Sequence, residues 1–364
     1  MLDAAWSAVL AAGLWAGWRL DDEKLLPQPE ADAESRNRPR KTVSVIIPAR
    51  NEAENLPHLL ESLRLQTRLP DEIVVVDDGS GDGTGEVAAR YGARVIRHDE
   101  PPPGWMGKNW ALWDGFHHAS GDIVVFLDAD VRLAPHALEA LVAAREKAGG
   151  AISVVPFHAA PTFGEKMALI FNLLGIFAFM SPYETDNPRK GLYGSCIVTT
   201  REDYLRVNGH ASVSGELVDD LALGARFLSA GIPVVNYMGW PLVSFRMYPG
   251  GVRHAAEGFS KSAALSMSPL DGRTVLLCAL WMIGLLSGGL FFWFDWVPAA
   301  GFLLYALQLW RMSRHAGTFG VLPFLHTLPS LFFVGVMLYS FYQTAVLGRV
   351  TWKGRRIVLR GGRK

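Results

Sequence analysis

Two aspartates, Asp128 and Asp130, close the apolar run Ile123-Val124-Val125-Phe126-Leu127 within "GDIVVFLDADVRLAP", residues 121–135. Carboxylates at this spacing can hold a divalent cation, act as acid and base, or cap the next helix. Similar polar closures follow two other apolar runs. "TVSVIIPARNE" ends in Pro48, Ala49, Arg50, Asn51 and Glu52, and "EIVVVDDGS" ends in Asp77 and Asp78. Helix capping accounts for any one of these, because Asp, Asn and Ser start helices well. Caps alone do not call for paired acids at the same edge. Further on, "GWMGKNWAL" offers Trp105, Lys108 and Asn109, and "GELVDDLALGARF" offers Asp219 and Asp220. Lys108, in a glycine-flanked loop before a helix, is placed to reach an anion such as a diphosphate. The plain alternative is an ordinary surface lysine.

The elements that position these groups are legible as β-rich runs at 42–49, 72–77, 93–97 and 122–127, each bounded by turn residues. Amphipathic stretches separate them, one with Leu56, Leu59, Leu60 and Leu63 on a common face. Apolar strands alternating with such helices predict an α/β, Rossmann-like fold with a mainly parallel sheet covered on both faces. Ligands of such sheets bind beyond the carboxyl ends of the strands, where the acids fall.

Hydropathy divides the chain further. Residues 1–20 form a nearly uncharged run of about the length needed to cross a bilayer, read as an N-terminal transmembrane anchor over a signal peptide. A polar, proline-bearing linker (21–41) leads to a catalytic domain at 42–262, and apolar transmembrane or interfacial helices occupy 263–350. The stretch 321–347, interrupted by Pro323 and Pro329, is read as lying along or partly entering the membrane. The tail 351–364 is basic with no acid, which by the positive-inside rule argues for a cytoplasmic C-terminus, and the catalytic domain is expected on the same side. Residues 165–184 are nearly as apolar as a short span. Crossing there would separate Asp220 from Asp128 and Asp130, so they are read as an interfacial segment in which Phe171, Leu174, Phe177, Ala178 and Phe179 line the approach of a lipid; a buried helix is the alternative. Acidic and basic residues balance at 35 each, without the basic excess of a nucleic-acid polymer binder. Two distant cysteines, Cys196 and Cys278, make no disulfide framework or cysteine metal site.

Taken together, "VSVIIPARNEAENLPHLLESL", "EIVVVDDGSGDGT", "GDIVVFLDAD" and "VDDLALGARFLSAG" resemble the family 2 glycosyltransferases, inverting nucleotide-sugar enzymes of the GT-A fold. The resemblance runs from about residue 43 to 231. It implies that Asp78, with Asp77 beside it, recognises a uracil-type base and that Asp128 contacts the sugar or ribose. It makes Asp130 the metal ligand, with Asp128 as its neighbour, for Mg2+ or Mn2+ against a UDP-sugar diphosphate. Oxygen ligands suit those hard cations. Pro48 to Glu52, Trp105, Lys108 and Asn109 complete the implied donor site. Asp220 aligns with the catalytic base and Asp219 with its neighbour, in place of the commoner glutamate.

Many membrane members carry Gln-x-x-Arg-Trp farther on, whereas this chain has "FRMYPGGVRHAAEGFSKS", with Arg246, Tyr248, Arg253, Glu257 and Lys261 at the matching place. That departure, with "GWMGKNWA" and "WKGR", resembles the lipid-acceptor branch: bacterial carotenoid glucosyltransferases of the diaponeurosporenoate type and, more distantly, ceramide glucosyltransferases. The resemblance implies transfer of a hexose, glucose by expectation, to a lipid acid or alcohol. A polyprenyl-phosphate sugar synthase and a non-catalytic membrane scaffold are the competing readings.

Overall fold

The computed structural model describes residues 2–28, 40–260, 270–346, 349–352 and 355–358. The chain folds as two compact units, one of Lys24–Phe157 with Pro188–Phe245, the other of Met1–Glu23, His158–Asn187 and Arg246–Lys364.

The first unit is built on a seven-stranded sheet. Its strands are β1 (Val43–Ala49), β2 (Glu72–Asp78), β3 (Arg94–His98), β4 (Ile123–Leu127), β6 (Ala151–Val155), β8 (Cys196–Thr200) and β9 (Val234–Met238). The spatial order is β3-β2-β1-β4-β8-β6-β9. The pairs β1/β2, β1/β4, β2/β3 and β6/β9 are parallel, whereas β8 runs antiparallel to both β4 and β6. The expected mainly parallel sheet is therefore mixed, with one reversed strand in its middle. The chain starts at β1, builds outward through β2 and β3, then returns to the other side of β1 as β4. That reversal opens a crevice beyond the carboxyl ends of β1 and β4, the site at which such sheets take ligands.

Side-chain chemistry explains the layering. Leu56, Leu59, Leu60 and Leu63 are all buried, so the leucine face of helix Leu56–Arg64 is its core face. Helix Gly107–His118 packs closely on the sheet because Gly115 has no side chain. A Cβ there would lie 2.7 Å from Ile46 Cγ2 and 2.8 Å from Val76 Cγ2. A short strand, β5 (Val131–Leu133), follows directly on Asp130; after the two-residue β7 (Phe157–His158) and after β9 comes β10 (Val243–Phe245), which pairs antiparallel with β5. The segment Asp128-Ala129-Asp130 is thus held at both ends, by β4 in one sheet and β5 in the other.

In the second unit, helices Leu2–Leu20, Leu169–Met180, Gly272–Phe291, Trp296–Ala316 and Thr327–Phe341 dominate. Among the described residues only Gly272–Phe291 is both long and apolar enough to cross a membrane, and Leu169–Met180 is apolar but short. The expected N-terminal span forms a helix of 19 residues, Leu2–Leu20, yet Asp3, Arg19, three tryptophans and two glycines leave it less apolar than a span requires. The proline-bearing stretch becomes a 3-10 turn at Leu322–Leu325 and a helix of only 15 residues, Thr327–Phe341. Within 165–184, Phe177 is buried edge-on against Trp281, with ring centroids 5.2 Å apart, rather than free to line a lipid path.

Gly115→Ala should cost about 1–3 kcal/mol by overpacking the helix–sheet contact. Thermal unfolding of the purified full chain will show this as a lower midpoint, and an unchanged midpoint would mean that the helix can lift without penalty.

Candidate active site

The polar ends of β1 and β2 are laced to each other. Arg50 Nη1 donates to the Asp78 carbonyl at 2.5 Å and lies 3.9 Å from its carboxylate. Asn51, in the left-handed region at φ 52°, donates its backbone N–H to Ser80 Oγ at 2.9 Å, and its side-chain carbonyl accepts from Gly81 N at 3.0 Å. The Glu52 N–H donates to Thr84 Oγ1 at 2.9 Å. Asp77 Oδ1 accepts from Ser80 N at 2.9 Å, and Arg97 stands 4.0 Å from its other oxygen. Pro48 and Ala49 are the last residues of β1 and set this loop's direction. Asp77 and Asp78 are both buried, side by side at the carboxyl end of β2.

Trp105 and its neighbours form an aromatic wall. Its ring stacks at 6.4 Å on Trp113 and meets Trp110 edge-on at 5.2 Å. Asn109 takes a different part from the one expected. Its buried amide donates to the carbonyls of Val213, Ser214 and Glu216 at 2.9–3.1 Å, so both donor protons are committed to bracing the loop that leads to Asp219.

Lys108 occupies the middle of the acids. Its Nζ lies 2.7 Å from Asp128 Oδ1 and 3.4 Å from the Gly194 carbonyl. Burial alone would lower the ammonium's pKa, but the carboxylates of Asp128, Asp219 and Asp220 outweigh that and hold it above the ordinary lysine value. Asp130 shifts upward as well, which in a carboxylate favours the neutral form. Burial, then the Asp128 and Glu52 carboxylates, push it up to about 7, and its Oδ1 is buried with no hydrogen-bond partner. An orphaned carboxylate oxygen flanked by further negative charge fits a divalent cation, which would restore the ionised form. Among the described residues no three His, Cys, Asp or Glu side chains gather as a metal cage. Such an ion would therefore need oxygens from a bound diphosphate to complete its shell.

Asp219 and Asp220 open the helix Asp219–Ser229. Asp220 Oδ2 accepts from Gly194 N and Oδ1 from Leu221 N, each at 2.9 Å. Gly194 permits that approach, since a Cβ there would sit 2.8 Å from Asp220 Oδ2. Burial and then Asp219 raise Asp220 to about 6, against the lowering effect of Lys108. A carboxylate poised there is suited to accept a proton near neutral pH. Asp219 is more deeply buried and faces His210, Nε2 to Oδ2, at 3.5 Å. The loop Tyr193–Ser195, which also accepts the Asp128 N–H through Ser195 at 3.0 Å, was not marked by sequence reasoning; the only signal was its glycine.

The structure brings together in one unit every expected residue from Pro48 to Asp130 with Asp219 and Asp220. Arg246, Tyr248, Arg253 and Glu257 belong to the other unit. There Arg246 donates to buried Glu165 at 2.7 Å, Tyr248 sits between His254 and Phe259, and Arg253 and Glu257 line a cleft of about 380 Å³ with Tyr339 and Gln343. Lys261 lies outside the described residues.

Residues 44–205 match the model of the "Glycosyl transferase family 2" proteins. Over 339 residues, 89% of this chain and 90% of the relative, the sequence is 32% identical to 4,4'-diaponeurosporenoate glycosyltransferase of Staphylococcus aureus strain USA300. The chain belongs to glycosyl transferase family 2. It is a glycosyltransferase related to the diaponeurosporenoate enzyme. The strain N315 counterpart gives 33% identity over 87% of this chain and 88% of its own length. A solved mannosyltransferase from Pyrobaculum calidifontis, in complex with GDP-Man and Mn2+, aligns with 94% of this chain and 99% of its own at a TM-score of 0.55 and 18% identity, which supports the α/β GT-A-like fold.

An ionised Asp220 is needed for proton acceptance, so turnover should fall as the pH drops through about 6. Lys108→Met removes the charge that lowers Asp220 and should move this acid limb to higher pH, with turnover itself reduced. A pH–rate profile with the limb unmoved would separate Lys108 from the acid pair.

Proposed function

We propose that the enzyme transfers a hexose, glucose by preference, from a UDP-sugar to the terminal carboxyl or hydroxyl group of a carotenoid-like lipid at a membrane. The observation that carries this reading is the similarity to diaponeurosporenoate glycosyltransferase over nearly the whole chain, well beyond the part matched by the family model. Gly272–Phe291 supports a membrane location. So do exposed Trp293 and Phe294 in the turn that follows it and Trp296 at the start of the next helix, aromatic residues of the kind enriched at a bilayer interface.

In this mechanism the acceptor oxygen attacks the anomeric carbon as the sugar–diphosphate bond breaks on the opposite side, inverting the configuration. Asp78 takes the N–H edge of uracil. Asp130, with Asp128 beside it, would hold Mg2+ or Mn2+, which supplies charge neutralisation for the departing UDP. Lys108 places an ammonium in the same region, and its excess of carboxylate neighbours keeps it charged. Asp220 takes the acceptor's proton. A carboxyl acceptor, ionised near neutral pH, needs little proton removal, whereas a hydroxyl acceptor depends on Asp220.

Membranes containing the protein, given labelled UDP-glucose and a panel of diaponeurosporenoic acid, a hydroxylated carotenoid and polyprenyl phosphate, should label a carotenoid. Labelling of polyprenyl phosphate alone would overturn the acceptor assignment. Chelation of divalent cations should abolish transfer and added Mn2+ should restore it. Asp130→Asn should lower it by roughly 10²–10³, the loss expected when a main stabiliser of transition-state charge is removed; unchanged metal dependence in that variant would contradict the ligand role.

A further inference from the structure

The two aspartates that open helix Asp219–Ser229 have different surroundings, and the difference lies in a buried pair, Tyr204 and His210. Both are fully buried. The His210 backbone N–H donates to Tyr204 Oη at 3.0 Å, and Tyr204 Oη lies 2.6 Å from His210 Nδ1. Tyr204 Oη has no other hydrogen-bond acceptor among the described residues, so its proton is assigned to Nδ1, which leaves that ring nitrogen unprotonated. A neutral imidazole carries its one remaining proton on the other nitrogen. His210 is thereby fixed as the Nε2–H tautomer.

That nitrogen is buried, makes no hydrogen bond among the described residues and lies 3.5 Å from Asp219 Oδ2, the contact the brace would use. The ring is held edge-on against Phe126, with centroids 5.4 Å apart, on the same strand that delivers Asp128. Asp220 has no such side-chain donor. Its oxygens take backbone N–H groups from Gly194 and Leu221, and it is the less buried of the two.

We infer that Tyr204 and His210 form a tautomer-locked brace that holds Asp219 in place as a non-reacting anchor, leaving Asp220 as the group that accepts the acceptor's proton. His210 is then a positioning residue, acting through Asp219. The inference rests on the proposed reading of the Asp219–Asp220 pair as the proton-accepting element and divides its labour. Among the charged and titratable groups that face Asp219 are His210, Tyr204, Lys108 and Asp220.

Two amide substitutions test it in the full chain. In His210→Gln the amide N–H2 reaches the place of Nε2 and can still donate to Asp219; in His210→Asn it stops at the place of Nδ1 and cannot. His210→Gln should keep transfer within about threefold of wild type. His210→Asn should lower kcat roughly 10- to 100-fold, the scale typical when a partner that orients a functional ligand is lost. The KM for UDP-glucose and the affinity for UDP should remain unchanged in both. In an Asp219→Asn background the difference between Gln and Asn should vanish, since residues that act as one unit are not additive. Equal kcat for the two variants, a difference that persists without Asp219, or loss of UDP binding in both would overturn the brace. The base assignment fails separately, if Asp220→Asn turns over like wild type rather than losing about 10²–10⁴.

Discussion

The site depends on an imbalance of buried charge. Asp128, Asp130, Asp219 and Asp220, with Glu52 close behind, crowd one lysine, and the imbalance shows as upward shifts throughout: the Lys108 ammonium is held above its usual range and so kept charged, while Asp130 is raised to about 7 and Asp220 to about 6, toward their neutral forms. Carboxylates held so close cannot all ionise without added positive charge. A divalent cation bound with a diphosphate would discharge the stress at Asp130 while leaving Asp220 to its own neighbours. One cluster can therefore contain both a metal ligand and a base, because Lys108 stands between them.

The sheet's reversal at β1 creates the place for this cluster. β4 delivers Asp128 and Asp130, the lacing of the β1 and β2 loops fixes Asp77 and Asp78 at the end of β2 on the far side of β1, and antiparallel β8 begins directly after the loop in which Gly194 meets Asp220. Covering both faces of the sheet allows the strands to be uniformly apolar, and so concentrates polar chemistry at their ends.

Much of this was legible in the sequence because the signals were local. Apolar runs ending in Asp77-Asp78 and Asp128-Ala129-Asp130 declare both a strand and its functional end, and the leucine spacing of 56–63 declares a buried helix face. Reversal of β8 was not legible, since a short buried strand such as Cys196–Thr200 has the same apolar character in either direction. Asn109 misled for a related reason: an amide beside a functional lysine looks like a ligand contact, while the three carbonyls it braces lie about a hundred residues away. The Tyr204–His210 pair was hidden too, because a histidine's role is set by what faces each ring nitrogen. In the helical unit, Asp3 and Arg19 in one helix and the shortness of Thr327–Phe341 in another separate them from Gly272–Phe291, which alone among the described helices is long and apolar enough to cross a membrane.

The central claim is that a single acidic cluster, centred on Lys108, places the donor's diphosphate and the accepting base on either side of the reacting carbon. An experimentally determined structure of the full chain with UDP-glucose and Mn2+ tests it most directly. The account predicts an anomalous-scattering peak for Mn2+ at Asp130, the diphosphate within hydrogen-bond reach of Lys108, and the anomeric carbon presenting its open face to Asp220. Mn2+ bound away from Asp130, or a sugar whose open face turns from Asp220, would contradict it.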